Sequence, residues 1–239
     1  MDLSDVIDYH EKKQADITIV CHPEEIGNPS SYDIVKSDET GRVIGLEFNP
    51  KNKGKAKYYS NIMVINRTFL LNLINESISH GYKNFRDDII LVNLRRYNVY
   101  AYDFNGYHAT IDSLSSYFKH NMELLDKKVR DELFGARDIY TKVRDSAPTK
   151  YGFSSLVKNS LVSDGCVVEG TVENSILFRG VKVGKGAVVR NSVIMQDTVI
   201  GDGVKLNCVI TDKNVVIRDN RVLSGCEVQP YFLAKGTMI

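Results

Sequence analysis

The chain has 239 residues, with 31 Lys and Arg against 30 Asp and Glu and a formal charge of +1 at pH 7. That near-cancellation argues against nucleic acid or an anionic membrane as the main partner, and the length admits two modest domains with real cores. The four cysteines, Cys21, Cys166, Cys208 and Cys226, form no CxxC pair and read as reduced thiols. No apolar run approaches the roughly 20 residues of a membrane span. Residues 1–5 are acidic and lack the basic and apolar regions of a secretory signal. A soluble, cytoplasmic chain is expected.

Residues 2–14 are expected to form a helix capped by Asp2 or Ser4, with Leu3, Val6 and Ile7 as its apolar stripe. Residues 16–21 are short and β-branched and read as a buried strand. Segments 32–35 and 43–48 flank Asp38-Glu39-Thr40-Gly41, the clearest hairpin signal in the chain. Another strand is expected over 58–66. Residues 68–79 read as a helix with Leu70, Leu71, Leu73 and Ile74 inside and Gly81 as its stop. A short helix over 87–94, a strand over 99–104 and an amphipathic helix over 114–125 follow. The order is α/β in character, yet no Gly-rich turn follows the first strand, where a nucleotide-binding domain normally carries one. The charged stretch 126–156, with Pro148 and Gly152, reads as a connection. The five histidines, His10, His22, His80, His108 and His120, read as surface residues without metal-ligand spacing.

Beyond this the chain repeats itself. Asn159-Ser160-Leu161-Val162 returns as Asn174-Ser175-Ile176-Leu177, Asn191-Ser192-Val193-Ile194 and Asn207-Cys208-Val209-Ile210, at steps of 15, 17 and 16 residues (174−159, 191−174, 207−191). A second phrase, Val183-Gly184-Lys185-Gly186, recurs as Ile200-Gly201-Asp202-Gly203 and, worn, as Ile217-Arg218-Asp219-Asn220. Two interleaved phrases at one period are the signature of a solenoid. Aliphatics at Leu177, Val183, Val189 and Met195, with small or β-branched residues at Val181, Ala187, Val193 and Val199, beat every six residues. That spacing fits neither an amphipathic helix nor a strictly alternating strand. It fits very short strands joined by corners where Gly or Asn supplies unusual backbone angles. The expected division is an α/β domain over 1–134, a linker over 135–156 and the β-helix over 157–239.

An α/β domain followed by such a β-helix resembles the ADP-glucose pyrophosphorylase (glucose-1-phosphate adenylyltransferase) family. The phrases at 159–166 (Asn-Ser-Leu-Val-Ser-Asp-Gly-Cys) and 175–181 (Ser-Ile-Leu-Phe-Arg-Gly-Val) look like the family's own, and residues 114–122 are similar to its Leu-Glu-Ala-Tyr-Trp-Lys-Ala-Asn-Leu. Residues 210–219 look most like the D-type glycogen-biosynthesis subunit that accompanies the catalytic one. The resemblance implies a truncated, Rossmann-like nucleotidyltransferase α/β domain followed by a left-handed parallel β-helix of hexapeptide repeats.

Carried over residue by residue, the family's active-site motifs meet mostly replacements. Its Gly-rich ATP loop and first metal-binding Asp have no counterpart here and are expected upstream of Met1. Its Phe-Gly-Val matches Tyr32-Asp33-Ile34, so a sugar-contacting Gly is Asp33. Its Val-Glu-Lys-Pro matches Glu47-Phe48-Asn49-Pro50, so the Glu that holds sugar hydroxyls is Phe48 and the phosphate-binding Lys is Asn49. Its Ser-Met-Gly-Ile motif keeps Ser60 but places Ile62 where Gly gave the sugar room, and the second metal-binding Asp is Thr110. Nucleotidyl transfer needs cations on the phosphates and carboxylates on a metal, and Asp33 beside an anionic substrate would add repulsion.

Ser60 and Asp112 are the vestigial substrate-binding candidates, with no catalytic residue assigned. Lys51, Lys53 and Lys55 are possible phosphate ligands, read by default as a solvated basic loop. The implied role is a non-catalytic or regulatory subunit in glycogen biosynthesis, partnered by a catalytic subunit as a homo- or hetero-oligomer. The chain itself is expected to bind no cofactor, although the family reaction uses Mg²⁺. The alternative is a fragment of an active sugar-1-phosphate nucleotidyltransferase. Hexapeptide acyltransferases use a histidine base and the related carbonic anhydrases several zinc-binding histidines, whereas no histidine here lies beyond 120. An open sheet edge in the α/β half implies self-association, and Arg137, Lys142 and Arg144 are effector-site candidates.

Overall fold

The computed structural model describes residues 1–26, 33–48, 54–135, 139–141 and 145–239, which fall into two units, Met1–His108 and Ala109–Ile239. Among the described residues no helix is long and apolar enough to cross a membrane.

In the first unit, α1 (Leu3–Lys12) begins where the Asp2 carboxylate accepts the Ser4 amide, relieving one of the orphan donors of a helix start. Only Val6 of its expected stripe is buried, with Leu3 and Ile7 exposed. Strands β1 (Ile17–Ile26), β2 (Asp33–Ser37), β3 (Val43–Phe48), β4 (Gly54–Ile65) and β5 (Val99–Asp103) form one sheet in the order β3-β2-β4-β1-β5. The pairs β2–β3, β2–β4 and β1–β4 are antiparallel and β1–β5 is parallel. The expected hairpin is present: Asp38 accepts bonds from the Thr40 and Arg42 amides and the Thr40 hydroxyl, and Gly41 takes a φ of 85°.

Helix α2 (Arg67–His80) is capped by Asn66 and ends at Gly81, whose φ of 70° is left-handed. It buries Leu73 alone; Leu71 and Ile74, expected inside, are exposed. The short helix expected over 87–94 is a π-helical segment, Phe85–Leu91, opened by the Asn84 side chain. Ile17, Ile19, Cys21, Val99 and Ala101 from one sheet face pack with Leu73, Ile89, Ile90 and Tyr97. Alternation along a strand turns Thr18 and Tyr102 to the other face, where they meet His10 and Tyr9 of α1.

The second unit contains a parallel β-solenoid with three faces, each a five-stranded sheet. One face stacks Leu156–Lys158, Thr171–Glu173, Val188–Arg190, Lys205–Asn207 and Val222–Ser224. Val172, Val189, Leu206 and Leu223 align at steps of 17 residues (189−172, 206−189, 223−206). A coil of 17 is one short of three hexads, so the beat slips once per turn. Ile194 and Thr198, not Met195 and Val199, are the buried partners of Leu177 and Val181. The slip occurs at the Asn-Ser corner, where Asn159, Asn174 and Asn191 adopt φ of 43°, 47° and 45°. In the next coil the left-handed residue is Cys208, with φ 52°, and Asn207 pairs instead with Arg190. The true step there is therefore 17 (208−191), one more than the repeated phrase suggests.

Each corner is tied to the next by serine. The Ser160 hydroxyl accepts the Ser175 amide at 3.1 Å, the Ser175 hydroxyl accepts the Ser192 amide at 3.1 Å, and the Ser192 hydroxyl accepts the Val209 amide at 3.1 Å. Each hydroxyl in turn donates to a carbonyl two residues earlier. Inside, Val168, Val172, Leu177, Val183, Val189, Ile194, Ile200 and Leu206 belong to one continuous core, each fully buried aliphatic stabilising by about 1.5–3 kcal/mol. Helix α3 (Leu114–Glu123), opened by a Ser113–Ser116 capping box, buries Phe118 against Val193, Cys208 and Ile210 on the outside of a second face. The helix expected to close the α/β domain is thus grouped with the solenoid.

Replacing Ser192 with Ala strands the buried Val209 amide. We expect a loss of about 1–3 kcal/mol in urea denaturation, larger than for Ser160→Ala on the exposed first corner.

Candidate functional site

The residues singled out in the sequence lie in both units. Asn49, Lys51, Lys53, Arg137, Lys142, Arg144 and Tyr32 are outside the described residues. In the first unit Asp33 opens β2 and pairs across the hairpin with Phe48 of β3. Ser60 and Ile62 sit in β4 where the register with β1 shifts: Ile19 pairs with Met63 and Cys21 with Tyr59, leaving Ser60, Asn61 and Ile62 opposite Val20 alone. Asn61 takes a φ of 55° there, as bulges commonly require. Ile62 points outward and is exposed. The Ser60 hydroxyl is buried and has no hydrogen-bond partner among the described residues. Thr110 and Asp112 belong to the second unit. Thr110 is half-buried, whereas Asp112 is exposed and its amide donates to the Ser116 hydroxyl at 3.0 Å.

The structure changes the electrostatics expected at Asp33. Its carboxylate is ion-paired with the Arg86 guanidinium, which also holds Asp87 at 2.9 Å. The Asp33 side chain is 18% exposed, so its charge is compensated from within the chain and does not stand free to repel a ligand. The Arg86 pKa is raised, first by its hydrogen bond to Asp87 and then by the nearby Asp33. Arg86 carried no sequence signal, because a single Arg on a charged segment reads as solvated surface.

Two further groups escaped the sequence reading. Cys21 and Tyr59 face each other across β1 and β4, and burial pushes each up to about 12. The Tyr59 hydroxyl, like that of Ser60, is buried without a partner among the described residues. Beside them Lys57 bonds Asp103 at 2.7 Å. The histidines are also not all surface residues. His22 and His108 stack with ring centroids 4.3 Å apart, and the His10 ring bonds the buried Thr18 hydroxyl at 2.9 Å. Among the described residues no group of three or more His, Cys, Asp or Glu converges to hold a metal ion. Thr110 offers no carboxylate and Asp112 stands alone in solvent, so the described residues do not fit Mg²⁺.

The first unit and the solenoid that follows it in sequence define a class. Residues 1–127 match the nucleotidyl transferase family model, and residues 147–228 match the GlmU-like, C-terminal hexapeptide model. The chain belongs to the nucleotidyl transferase family. Within it the chain is similar to the glycogen biosynthesis protein GlgD of Bacillus subtilis, at 36% identity over 98% of this chain and 66% of that protein. It is similar also to the glucose-1-phosphate adenylyltransferase of Acetivibrio thermocellus, at 30% identity over 100% of this chain and 58% of that enzyme. The enzyme of that name from Thermosipho africanus is 33% identical over 80% of this chain and 47% of its own length. The chain therefore spans about two-thirds or less of the length of these relatives.

Removing Arg86 leaves Asp33 without its counter-ion. Arg86→Ala is expected to lower stability by about 1–3 kcal/mol, and the double variant with Asp33→Asn to recover part of it, as read by thermal denaturation. A second expectation concerns alkaline pH. The ordinary values for Cys21 and Tyr59 are 9.0 and 10.0, so above pH 9 the unfolded chain ionises while the folded one does not. Stability is intact below pH 9 and declines as pH rises toward about 12. Tyr59→Phe, which removes an unpartnered hydroxyl, should be neutral or stabilising at pH 7 and should lose less across that window.

Proposed function

We propose that this chain acts in glycogen biosynthesis, in the cytoplasm, as a non-catalytic partner of a glucose-1-phosphate adenylyltransferase subunit. The catalytic partner would convert ATP and glucose 1-phosphate to ADP-glucose and pyrophosphate. The observation that carries this reading is the Asp33–Arg86 pair. Where the family resemblance puts a glycine against the sugar, this chain has a carboxylate and has anchored it with its own arginine. A charge fixed in that way fills the position and supplies no cation to a sugar phosphate.

Thr110 and Asn49 point the same way, since the first has no metal-binding oxygen anion and the second no positive charge. Similarity to a protein described as a glycogen biosynthesis protein supports the pathway, and similarity to adenylyltransferases supports the identity of the partner. Oligomerisation would suit the solenoid, whose coils stack through nearest-neighbour contacts into a stiff docking body. The first unit has less edge to offer than the sequence suggests. At the outer strand β5 the Ala101 amide donates to Gly41 O at 2.8 Å and its carbonyl accepts the Tyr9 hydroxyl at 3.0 Å.

One observation favours the alternative of a fragment of an active nucleotidyltransferase. Ser60 keeps the family's residue, and its buried hydroxyl has no protein partner among the described residues. The two readings separate in one experiment. The purified chain, given ATP, Mg²⁺ and glucose 1-phosphate, is expected to release no pyrophosphate above background, and to alter the rate or effector response when mixed with a catalytic adenylyltransferase. Turnover by the chain alone would overturn the proposal, as would a catalytic subunit that neither binds it nor changes in its presence.

A further inference from the structure

We propose that Cys208 and Cys226 form a reversible disulfide that staples the last excursion of the solenoid to the coil beneath it. In the solenoid register Asn207 stacks on Ser224, and the Gly225 amide donates to Asn207 O at 2.9 Å. Residue 225 therefore lies over residue 208, at the ~5 Å spacing of paired strands. A Cβ placed on Gly225 would come within 2.7 Å of Cys208 O, so the backbones are in close approach there. Cys226 is the next residue. From it the chain leaves the regular coil and returns at Tyr231, whose amide donates to Cys208 O at 3.0 Å. Strand pairing shows the same detour: Val209 partners Tyr231, 22 residues on (231−209), where every coil before it took 17 or fewer.

Backbone bonds on both sides of the excursion thus hold Cys226 one residue beyond the position stacked on Cys208, and the two thiols are near enough for the Cys226 charge to act on Cys208. Both sulfurs are free thiols, Cys208 buried and Cys226 exposed. Their roles in the exchange follow from that difference. Burial raises the Cys208 thiol, with the Cys226 and Glu227 charges adding to the effect, so Cys226 is the attacking group. Its thiolate attacks a low-molecular-weight disulfide, forming a mixed disulfide and releasing one thiolate. Cys208 then gives up its proton and displaces the second thiol. The two cysteines lose two electrons and two protons in total, and the small disulfide is reduced to two thiols.

The position gives the bond a structural consequence. Cys208 packs under Phe118 of α3, and the excursion meets the same helix, the Ser115 hydroxyl donating to Glu227 O at 3.3 Å. A cleft of about 590 Å³ runs between them, with Phe118 and Met122 of the helix facing Glu227 and Val228. Joining Cys226 to Cys208 fixes the far wall of that cleft and leaves α3 in place.

The test uses the full chain, reduced and freed of reductant, then treated with oxidised glutathione and mapped by mass spectrometry without reduction. The expected product is an intramolecular 208–226 cross-link, with a mass lower by two hydrogens and a melting temperature raised by several degrees. Dithiothreitol should reverse both. Cys226→Ser, an exposed change, should give neither cross-link nor shift. A lasting glutathione adduct on Cys226 with Cys208 still free would overturn the proposal. So would a disulfide between the Cys226 residues of two chains, or no reaction at either site.

Discussion

A solenoid coil cannot satisfy its own backbone. Its strands are two or three residues long, and their amides and carbonyls find partners only on the coil before and the coil after. Everything about the C-terminal unit follows from keeping those partners in register, because an unpaired buried amide costs more than a single bond returns. The three-sided path turns through corners, and at the tightest the backbone must enter the left-handed region. Asn tolerates that conformation better than other non-glycine residues. The serine after it then supplies an oxygen where the corner has left the next coil's amide short of a carbonyl. Asn-Ser is therefore a two-residue solution to one geometric problem, which explains its recurrence with so little variation.

The same reasoning sets what could be read in advance. The solenoid was visible because its constraint is local and repeated: each Asn-Ser phrase states the corner outright, and each aliphatic stacks on a copy of itself. The error came where one copy departs. Asn207-Cys208 looks like another Asn-Ser pair, but the left-handed residue is Cys208, and the extra residue appears only in the strand pairing with Arg190. In the first unit the hairpin was legible from Asp38 and Gly41, whose turn chemistry is confined to four residues. The burial of α1 and α2 was not. Leu3, Ile7, Leu71 and Ile74 are apolar at helical spacing, yet how far each helix sinks into the sheet depends on neighbours remote in sequence. The candidate site was the least legible part. The sequence shows Asp33 as a charge, and only the fold brings Arg86 to it from 53 residues away (86−33).

On the proposed reading, that pair bears on how a binding domain can lose its chemistry and keep its shape. The core of the first unit is built from Ile17, Ile19, Val35, Val43, Leu73, Ile90 and Val99, and among the described residues neither Asp33, Ser60 nor Ile62 belongs to it. A change at Asp33, Ser60 or Ile62 therefore removes no contact of this core, and the fold imposes little penalty on it. A new carboxylate at a partly buried position is different. Left unpaired it would be destabilising, so its presence calls for a cation within reach. Arg86 meets that need.

A catalytic site keeps some of its groups under strain or unpaired until substrate arrives, and pays for this in stability. In this chain the Asp33 carboxylate is closed off by an internal ion pair with Arg86, while the buried Ser60 hydroxyl lacks a protein partner among the described residues. A buried neutral hydroxyl without a partner is tolerable at about 1–3 kcal/mol, whereas a partly buried charge has to be paired. Drift in such a domain should accordingly run first through its ionic positions, which are the ones that phosphate and metal chemistry require, and reach its neutral contacts last.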